Sequence, residues 1–541
     1  MTAEPAPPAQ VPPAADGQSP WAPFRNATFR MLWIVWATAN VALWMNDVAA
    51  AWMMTSLTAS PTLIALVQTA SALPVFLFGI PSGALADILD RRRYFMATQF
   101  WVAGNAAVLF VVSFAGWLNA PLLLALVFVN GIGLAMRWPV FAAIIPEIVP
   151  REHLQAALAL NGIAMNASRV VGPLVAGAII ASLGSEYVFA LNFVLSIGAG
   201  VALSRWKRES TPSVLPGERF IGAMRLGWQY VRESRRMKDA IVRTVVFFVH
   251  STALIALLPL VAKRMAEGAG MYTLLLSSMG AGAIAAATQI TKLRRFTNRD
   301  HLVTGGSFVQ GACIFVVAFA PNAWVAAPAM FVGGMAWILV ANSVTLAAQL
   351  ALPDWVRARG MAIYQMSIMG SSALGAIIWG RIAESSSVPT SLAVASASAL
   401  LFALITRGRV LDGPAEDVTP THPFDEPIPA RPVDPHEGPV MVTIEYLIDP
   451  VRSPEFEQVM AETRSARLRH GAVSWGMFED VQQPGRFVEY FVCDTWADFL
   501  RRYDRFTAAD ERLQQQRNAF HVGAEAPRIG RFVAWHPPER R

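Results

Sequence analysis

A membrane-spanning helix needs about 20 predominantly apolar residues in a row. From Phe29 onward this 541-residue chain supplies twelve such stretches, at 29–56, 61–86, 94–116, 121–145, 155–182, 186–204, 240–262, 271–292, 302–320, 323–349, 358–383 and 388–406. In hydrocarbon every backbone amide must be satisfied within its own segment, so stretches of this kind fold as helices. Charged residues make up only 15% of the chain, against about 25% in soluble domains. The expectation is an all-α, multi-pass protein with twelve transmembrane helices and the lipid bilayer as its surroundings. The net charge of +6 does not point to nucleic acid, because Lys and Arg gather in short loops between apolar stretches. Cys313 falls in an apolar stretch and Cys493 in a polar one, which argues against a disulfide framework. Residues 1–24, rich in Pro and Ala and lacking a basic start before an apolar core, read as a disordered leader.

The loops set the orientation. Arg91, Arg92 and Arg93 follow the second stretch, nine Lys and Arg residues lie in 205–239, Lys292, Arg294, Arg295 and Arg299 follow the eighth, and Arg407 and Arg409 follow the twelfth. The alternate loops around Ala59, Asn119, Ser185 and Asn322 carry no Lys or Arg. Positive-inside counting puts the first set, and both termini, in the cytoplasm. Lys263 and Arg264 break the rule, as does Arg381 near the end of the eleventh stretch.

The chain repeats itself at an offset of 203 residues. Arg91 and Arg92 fall on Arg294 and Arg295, Asn119 on Asn322, Gly131 on Gly334, Pro150 on Pro353, Gly172 on Gly375 and Gly177 on Gly380. Two parallel six-helix halves follow, at 25–205 and 240–409. Between them, 206–239 reads as a cytoplasmic linker in which Phe220, Met224, Trp228 and Val231 recur at helical spacing, as on a membrane-surface helix.

Residues 83–93 read GALADILDRRR. Three arginines behind an acid suit a membrane–water boundary on the cytoplasmic side. The run resembles the loop signature of the major facilitator superfamily between its second and third helices. Gly83, Leu85, Ala86, Asp87, Arg91, Arg92 and Arg93 match, whereas Ile88 and Asp90 depart from it. The resemblance implies a substrate site between the halves near the midplane, alternating access, and a gating role for Asp87 and for Glu147 at the end of the fourth helix. Gly172 and Pro173, with Gly177, partly match the superfamily's antiporter-type fifth-helix motif, which implies export.

Residues 410–439 hold eight prolines and read as a linker. Residues 440–536 change character. A strand at 440–448, a helix at 453–469 capped by Ser453, a hairpin over 473–494, one long amphipathic helix at 496–520 and a strand at 528–535 give the order βαββαβ of a ferredoxin-like α+β domain. The stretch resembles the antibiotic-biosynthesis-monooxygenase fold. The run SWGMFEDVQQPGRFVEYFVCDTWADFLRRYDRFTAAD resembles the tail of the transmembrane secretion effector subgroup, to which the enterobactin exporters are related. That implies a cytoplasmic module for self-association or regulation. The alternative is a membrane-tethered monooxygenase with Trp475, Tyr490, Trp496, His470 and Arg501 around a pocket.

Polar groups inside apolar stretches are costly and need a reason. Asn40, Trp44 and Asp47 share one face of the first helix, where Asp47 is a proton-titrating candidate or an interfacial acid. Asn130 and Arg137 share a face of the fourth helix, and Asn166 and Arg169 lie on one side of the fifth. Two buried arginines call for carboxylate partners, and Asp47, Asp87 and Glu147 are at hand. His250 falls on Asp47 in the repeat, more simply a satisfied polar group than a relay. Asn342, Thr345 and Gln349 form a stripe which, with Trp337, Tyr364, Gln365 and Trp379, is placed to line a cavity for amphipathic aromatic molecules. No Walker phosphate loop occurs, so ATP is not the expected energy source. No cofactor or metal is expected, and the proton gradient is the expected drive. The sum is a non-enzymatic secondary transporter of the bacterial inner membrane, exporting an amphipathic small molecule of drug or siderophore type. Uptake by the same fold is the first alternative.

Overall fold

The computed structural model describes residues 21–206, 220–265, 269–293, 297–412, 421 and 427–535. The leader, Arg294 and Arg295, and parts of both linkers lie outside the described residues, as do the surroundings of Gly83 and the side chains of Asp87 and Asn166.

Six helices build the first half: α1 (Ala27–Leu57), α2 (Pro61–Ile88), α3 (Arg91–Phe114), α4 (Ala120–Ile148), α5 (Arg151–Ser182) and α6 (Ser185–Arg205). After a shorter helix, α7 (Phe220–Glu233), six more build the second: α8 (Arg235–Met265), α9 (Ala269–Leu293), α10 (Arg299–Phe319), α11 (Ala323–Leu350), α12 (Asp354–Ser385) and α13 (Val388–Thr406). Eleven of these long helices are apolar enough to cross a membrane. The remaining one, α1, has the length at 31 residues, but Asn40, Asn46 and Asp47 dilute its apolar character.

The repeat is visible in the helix starts. Helices α4, α5 and α6 begin at 120, 151 and 185, and α11, α12 and α13 at 323, 354 and 388, the same 203-residue offset each time. The start signals repeat too. Asn119 and Asn322 accept from the amides of Leu122 and Val325, satisfying donors that a helix start leaves open. Gly172 and Gly375 occupy equivalent close crossings. A Cβ on Gly172 would stand 3.2 Å from the Val41 carbonyl oxygen of α1, and one on Gly375 2.4 Å from that of Val249 in α8.

Across the seam between halves, α2 packs along α12 and α5 along α9. Burial is uneven along it. On the side of the uncharged loops, one apolar cluster runs through both halves and joins Met45, Val48, Ile64 and Leu123 to Leu257, Val261, Leu275 and Val317. On the side of the cationic loops the clusters are separate, one around Phe95, Phe141 and Ile144 in the first half, the other around Phe247, Val344 and Tyr364 in the second. Among the described residues, the halves share one buried apolar core on the first side and hold separate cores on the second.

The C-terminal unit runs β1 (Val440–Leu447), α14 (Ser453–Arg469), β2 (Ser474–Glu479), β3 (Arg486–Cys493), α15 (Trp496–Asp504), α16 (Ala508–Asn518) and β4 (Arg528–Val533). The antiparallel sheet has the order β2-β3-β1-β4, the ferredoxin-like arrangement. Two local expectations are corrected. The long helix at 496–520 is two helices, because Thr507 and Asp510 form a reciprocal capping box that starts α16 afresh. The cap before α14 is not Ser453: Asp449 accepts from the Val451 amide and opens a short 3-10 turn that leads into the helix.

Helix α7 is also used differently. Leu226, Tyr230 and Val231 are buried while Trp228 is 58% exposed, so the stripe read from Phe220 to Val231 is not one face against lipid. The Tyr230 hydroxyl donates to the Ala351 carbonyl at 3.2 Å, the Gln229 amide to that of Ala472, and Arg225 pairs with Asp494. The helix is sandwiched between the second half and the C-terminal unit.

Candidate transport site

The seam between the halves holds Asp47, Trp44 and Arg169. Asp47 accepts a hydrogen bond from Ser71 Oγ of α2 at 3.2 Å. Less than a turn before it, Trp44 faces Arg169 of α5, whose guanidinium carbon lies 5.5 Å from the Trp44 ring centroid. The same guanidinium stands 4.3 Å from the ring centroid of Trp337 on α11, in the other half. Arg169 thus touches an indole from each half. Gly172 makes this possible, since a Cβ there would meet Trp44 Cβ at 2.5 Å, and the buried Pro173 follows it. Gly177 plays the same part across the seam, against the Thr273 side chain of α9.

Among the described residues, the expected carboxylate partners of the two arginines are not found, and Asp87, one of the three acids expected, has its side chain outside them. Arg137 donates from Nη1 to the Ala39 carbonyl at 3.2 Å and lies 5.3 Å over the Trp36 ring. Glu147 pairs instead with Arg91. Ten residues of helix, about 15 Å, separate Arg137 from Glu147, and an indole face offers a buried guanidinium attraction without a second charge.

Asn130 and Arg137 line a small cavity inside the first half with Asn192 and Ser196. Asn40 turns away from it, its amide donating to the Trp36 carbonyl of its own helix at 2.7 Å. His250 lines a counterpart cavity in the second half with Ser251, Ser307 and Gln310. Leu43 and Val246, and Ser196 and Ala399, occupy repeat-equivalent places in the two. His250 Nδ1 lies 2.6 Å from the Val246 carbonyl, and its ring packs between Trp379 and Phe402.

The stripe on α11 splits. Thr345 bonds to the Tyr364 hydroxyl at 3.1 Å, Asn342 is half-buried, and Gln349 is exposed. Tyr364 is fully buried and also bonded by Thr244. It ties α8, α11 and α12 together and does not line an open cavity. Trp379 likewise spends its indole N–H on the Val249 carbonyl.

On the side of the cationic loops, Arg92 donates to the carbonyls of Leu203 and Ser204 at the end of α6. With Arg91–Glu147, the turn between α2 and α3 is thereby fastened to the ends of α4 and α6. Sequence reasoning missed Ser71, which carried no signal beyond a hydroxyl in an apolar helix, and the seam contact of Ser60 Oγ with Glu384 at 3.0 Å. Lys263 and Arg264, the exceptions to the loop rule, donate to the carbonyls of Thr55 and Ala318, where cations complement helix C-termini.

Two like halves of six membrane helices, meeting at a seam that holds ionisable groups, define a secondary transporter of the major facilitator class. A family model described as transmembrane secretion effector matches residues 18–539, and the chain belongs to that family. The macrolide efflux protein A of Streptococcus pyogenes is 22% identical over 300 residues, 54% of this chain and 73% of that protein. The staphyloferrin A transporter of Staphylococcus aureus is 18% identical over 279 residues, 51% of this chain and 70% of its own length. A crystal structure of a POT family transporter bound to a thioalcohol-conjugated peptide superposes with a TM-score of 0.60 at 11% identity, covering 70% of this chain and 95% of that one. The family consists of transporters and not enzymes, and the protein is a multi-pass membrane protein.

Proposed function

We propose that the protein exports an amphipathic small molecule of drug or siderophore type across the bacterial inner membrane in exchange for protons, with both termini in the cytoplasm. The observation that carries the reading is the uneven seam. Its apolar core is continuous on the side of the uncharged loops and divided on the side of the cationic ones. With the cationic loops inside, the divided side is the one on which the seam would part to load cargo from the cytoplasm. The efflux and siderophore-transporter names among the relatives favour the same class of cargo.

Asp47 is the proton carrier in this reading, with Ser71 its one hydrogen-bond partner among the described residues. A carboxylate there whose protonation depends on whether cargo occupies the seam couples the two fluxes. Gly83, Asp87, Arg91, Arg92 and Glu147 form the cytoplasmic gate. Gly172 and Pro173 shape the α1–α5 crossing that rocks with the first half. Asn40, Asn130, Arg137 and His250 belong to the polar interiors of the two halves, and Asn166 is assigned to the cavity by its place in the sequence alone. The C-terminal unit joins two copies through the outer face of its sheet, where Met441, Phe478 and Phe532 are exposed.

The test is transport in inside-out vesicles energised by a proton gradient. A panel of macrolides and siderophores is screened for gradient-dependent accumulation, and Asp47→Asn should abolish it while the protein stays folded and membrane-inserted. Full accumulation by that variant, with the normal dependence on the gradient, removes Asp47 from the coupling step. Accumulation only in right-side-out vesicles reverses the direction.

A further inference from the structure

Arg169 is a cation in the seam without a counter-charge among the described residues. It makes no hydrogen bond or ion pair among the described residues. It is only half-buried, so it is not sealed into a helix contact as Arg137 is, at 3% exposure. Its guanidinium is flanked by an indole from each half, Trp44 at 5.5 Å and Trp337 at 4.3 Å. An indole face attracts a guanidinium but supplies no lone pair to its N–H groups. The five donors of its planar fork therefore suit an acceptor of matching geometry. The natural match is a planar oxyanion, and a carboxylate can accept from it in bidentate fashion. Trp44 is half-buried and offers apolar surface beside the fork. Asp47 stands three residues further along α1, held by Ser71, and leaves the fork without a carboxylate.

We propose that Arg169, Trp44 and Trp337 form the specificity site for cargo that carries a carboxylate beside an aromatic ring. This rests on the reading of the seam as the transport pathway and narrows its cargo to an anionic class. Binding would join the halves, because the cargo is held by an arginine of one and packed near an indole of the other.

The probe pair is 2-naphthoate and 2-naphthamide, alike in shape and different in charge. Binding of each to the full-length protein in detergent is measured by calorimetry at neutral pH. The wild type should bind naphthoate at least tenfold more tightly than naphthamide. Arg169→Gln should bring naphthoate down to the level of naphthamide, and Arg169→Lys should restore only part of the difference, since an ammonium lacks the planar fork. Trp337→Phe, which keeps an apolar ring, should weaken naphthoate several-fold. Equal binding of the two probes to the wild type, a preference that survives Arg169→Gln, or no binding of either probe overturns the proposal. Thermal unfolding of each variant separates misfolding from lost recognition. Binding in detergent needs no gradient, so a failure of proton-driven transport leaves this result to stand or fall alone.

Discussion

Lys263, near the end of α8 in the second half, donates its ammonium to the backbone carbonyl of Thr55, near the end of α1 in the first, at 3.0 Å. It is one of three cations, with Arg264 and Arg381, on the face opposite the cationic loops, and it meets a helix C-terminus whose partial negative charge favours it. Ser60 and Glu384 make a second polar link across the seam on the same face. The two links flank the apolar cluster that joins the halves. Removing both, as Lys263→Met with Glu384→Gln, should weaken the seal and shift the equilibrium toward the outward-open state. Spin labels at Trp117 and Trp324, both exposed, should show a larger population at long distance by double electron–electron resonance. An unchanged distribution would mean that the apolar cluster alone holds the face shut.

Arg91 and Glu147 pair at the opposite face, between the turn that ends α2 and the end of α4. Both are partly exposed, so the pair is worth about 1 kcal/mol or less in stability. Its importance lies in fixing the turn. Glu147→Gln should slow transport several-fold without lowering the thermal unfolding temperature appreciably. Reversing the pair, Arg91→Glu with Glu147→Arg, should recover much of the rate. Transport assays on the singles and the double settle whether the two residues act together.

Trp355, at the start of α12, receives the Arg505 guanidinium at 4.7 Å and packs edge-on to His470. Both partners come from the C-terminal unit, which also reaches Glu233 of α7 through Arg464 and Ser465. That unit therefore rides on the second half. Trp355→Ala removes the shared ring, and hydrogen exchange in α14 and in the 470–473 turn should rise several-fold while α8 and α11 stay protected. Unaltered exchange would show that α7 alone carries the docking.

How much of this could be read from the chain differs by level. The helices follow from apolar length, and the two halves from Asn119 with Asn322 and Pro150 with Pro353, because caps and breakers act locally and repeat with the sequence. The fate of Arg137 and Arg169 did not follow. A buried arginine was expected to seek an acid, yet Trp36, Trp44 and Trp337 took that role, and only tertiary packing decides between a carboxylate and an indole. Trp228 misled for the same reason: spacing shows that α7 has an apolar face, but not that the C-terminal unit and α12 cover Leu226 and Tyr230. The break at Thr507 is written in the chain as a Thr-x-x-Asp capping box, and the amphipathic run on either side of it hides the signal.

Glu489 on β3 has no exposed surface, and it accepts from the Tyr446 hydroxyl, from Arg467 Nε at 2.9 Å and from Trp475 Nε1 at 3.0 Å. Burial by itself raises a carboxyl, but the Arg467 charge and hydrogen bonds, with Arg517 and Trp475, outweigh it and hold Glu489 down at about 2. The folded unit therefore binds this proton less readily than the unfolded chain does. Its stabilisation is in full force above pH 4.5, the ordinary glutamate value, and is lost as pH falls from there to about 2, with a size of about 3 kcal/mol. Glu489→Gln keeps the shape but leaves Arg467 without its counter-charge, so at pH 7 it should destabilise the C-terminal unit by roughly 3–5 kcal/mol. Urea denaturation of the full-length protein in detergent, followed through hydrogen exchange in β1 and β3, measures both forms. The gap between wild type and variant should close by about 3 kcal/mol between pH 5 and pH 2, with the wild type descending toward the variant. A gap that stays constant over that range would show that Arg467 does not hold the carboxylate ionised, and the buried pair would then be a packing contact without electrostatic weight.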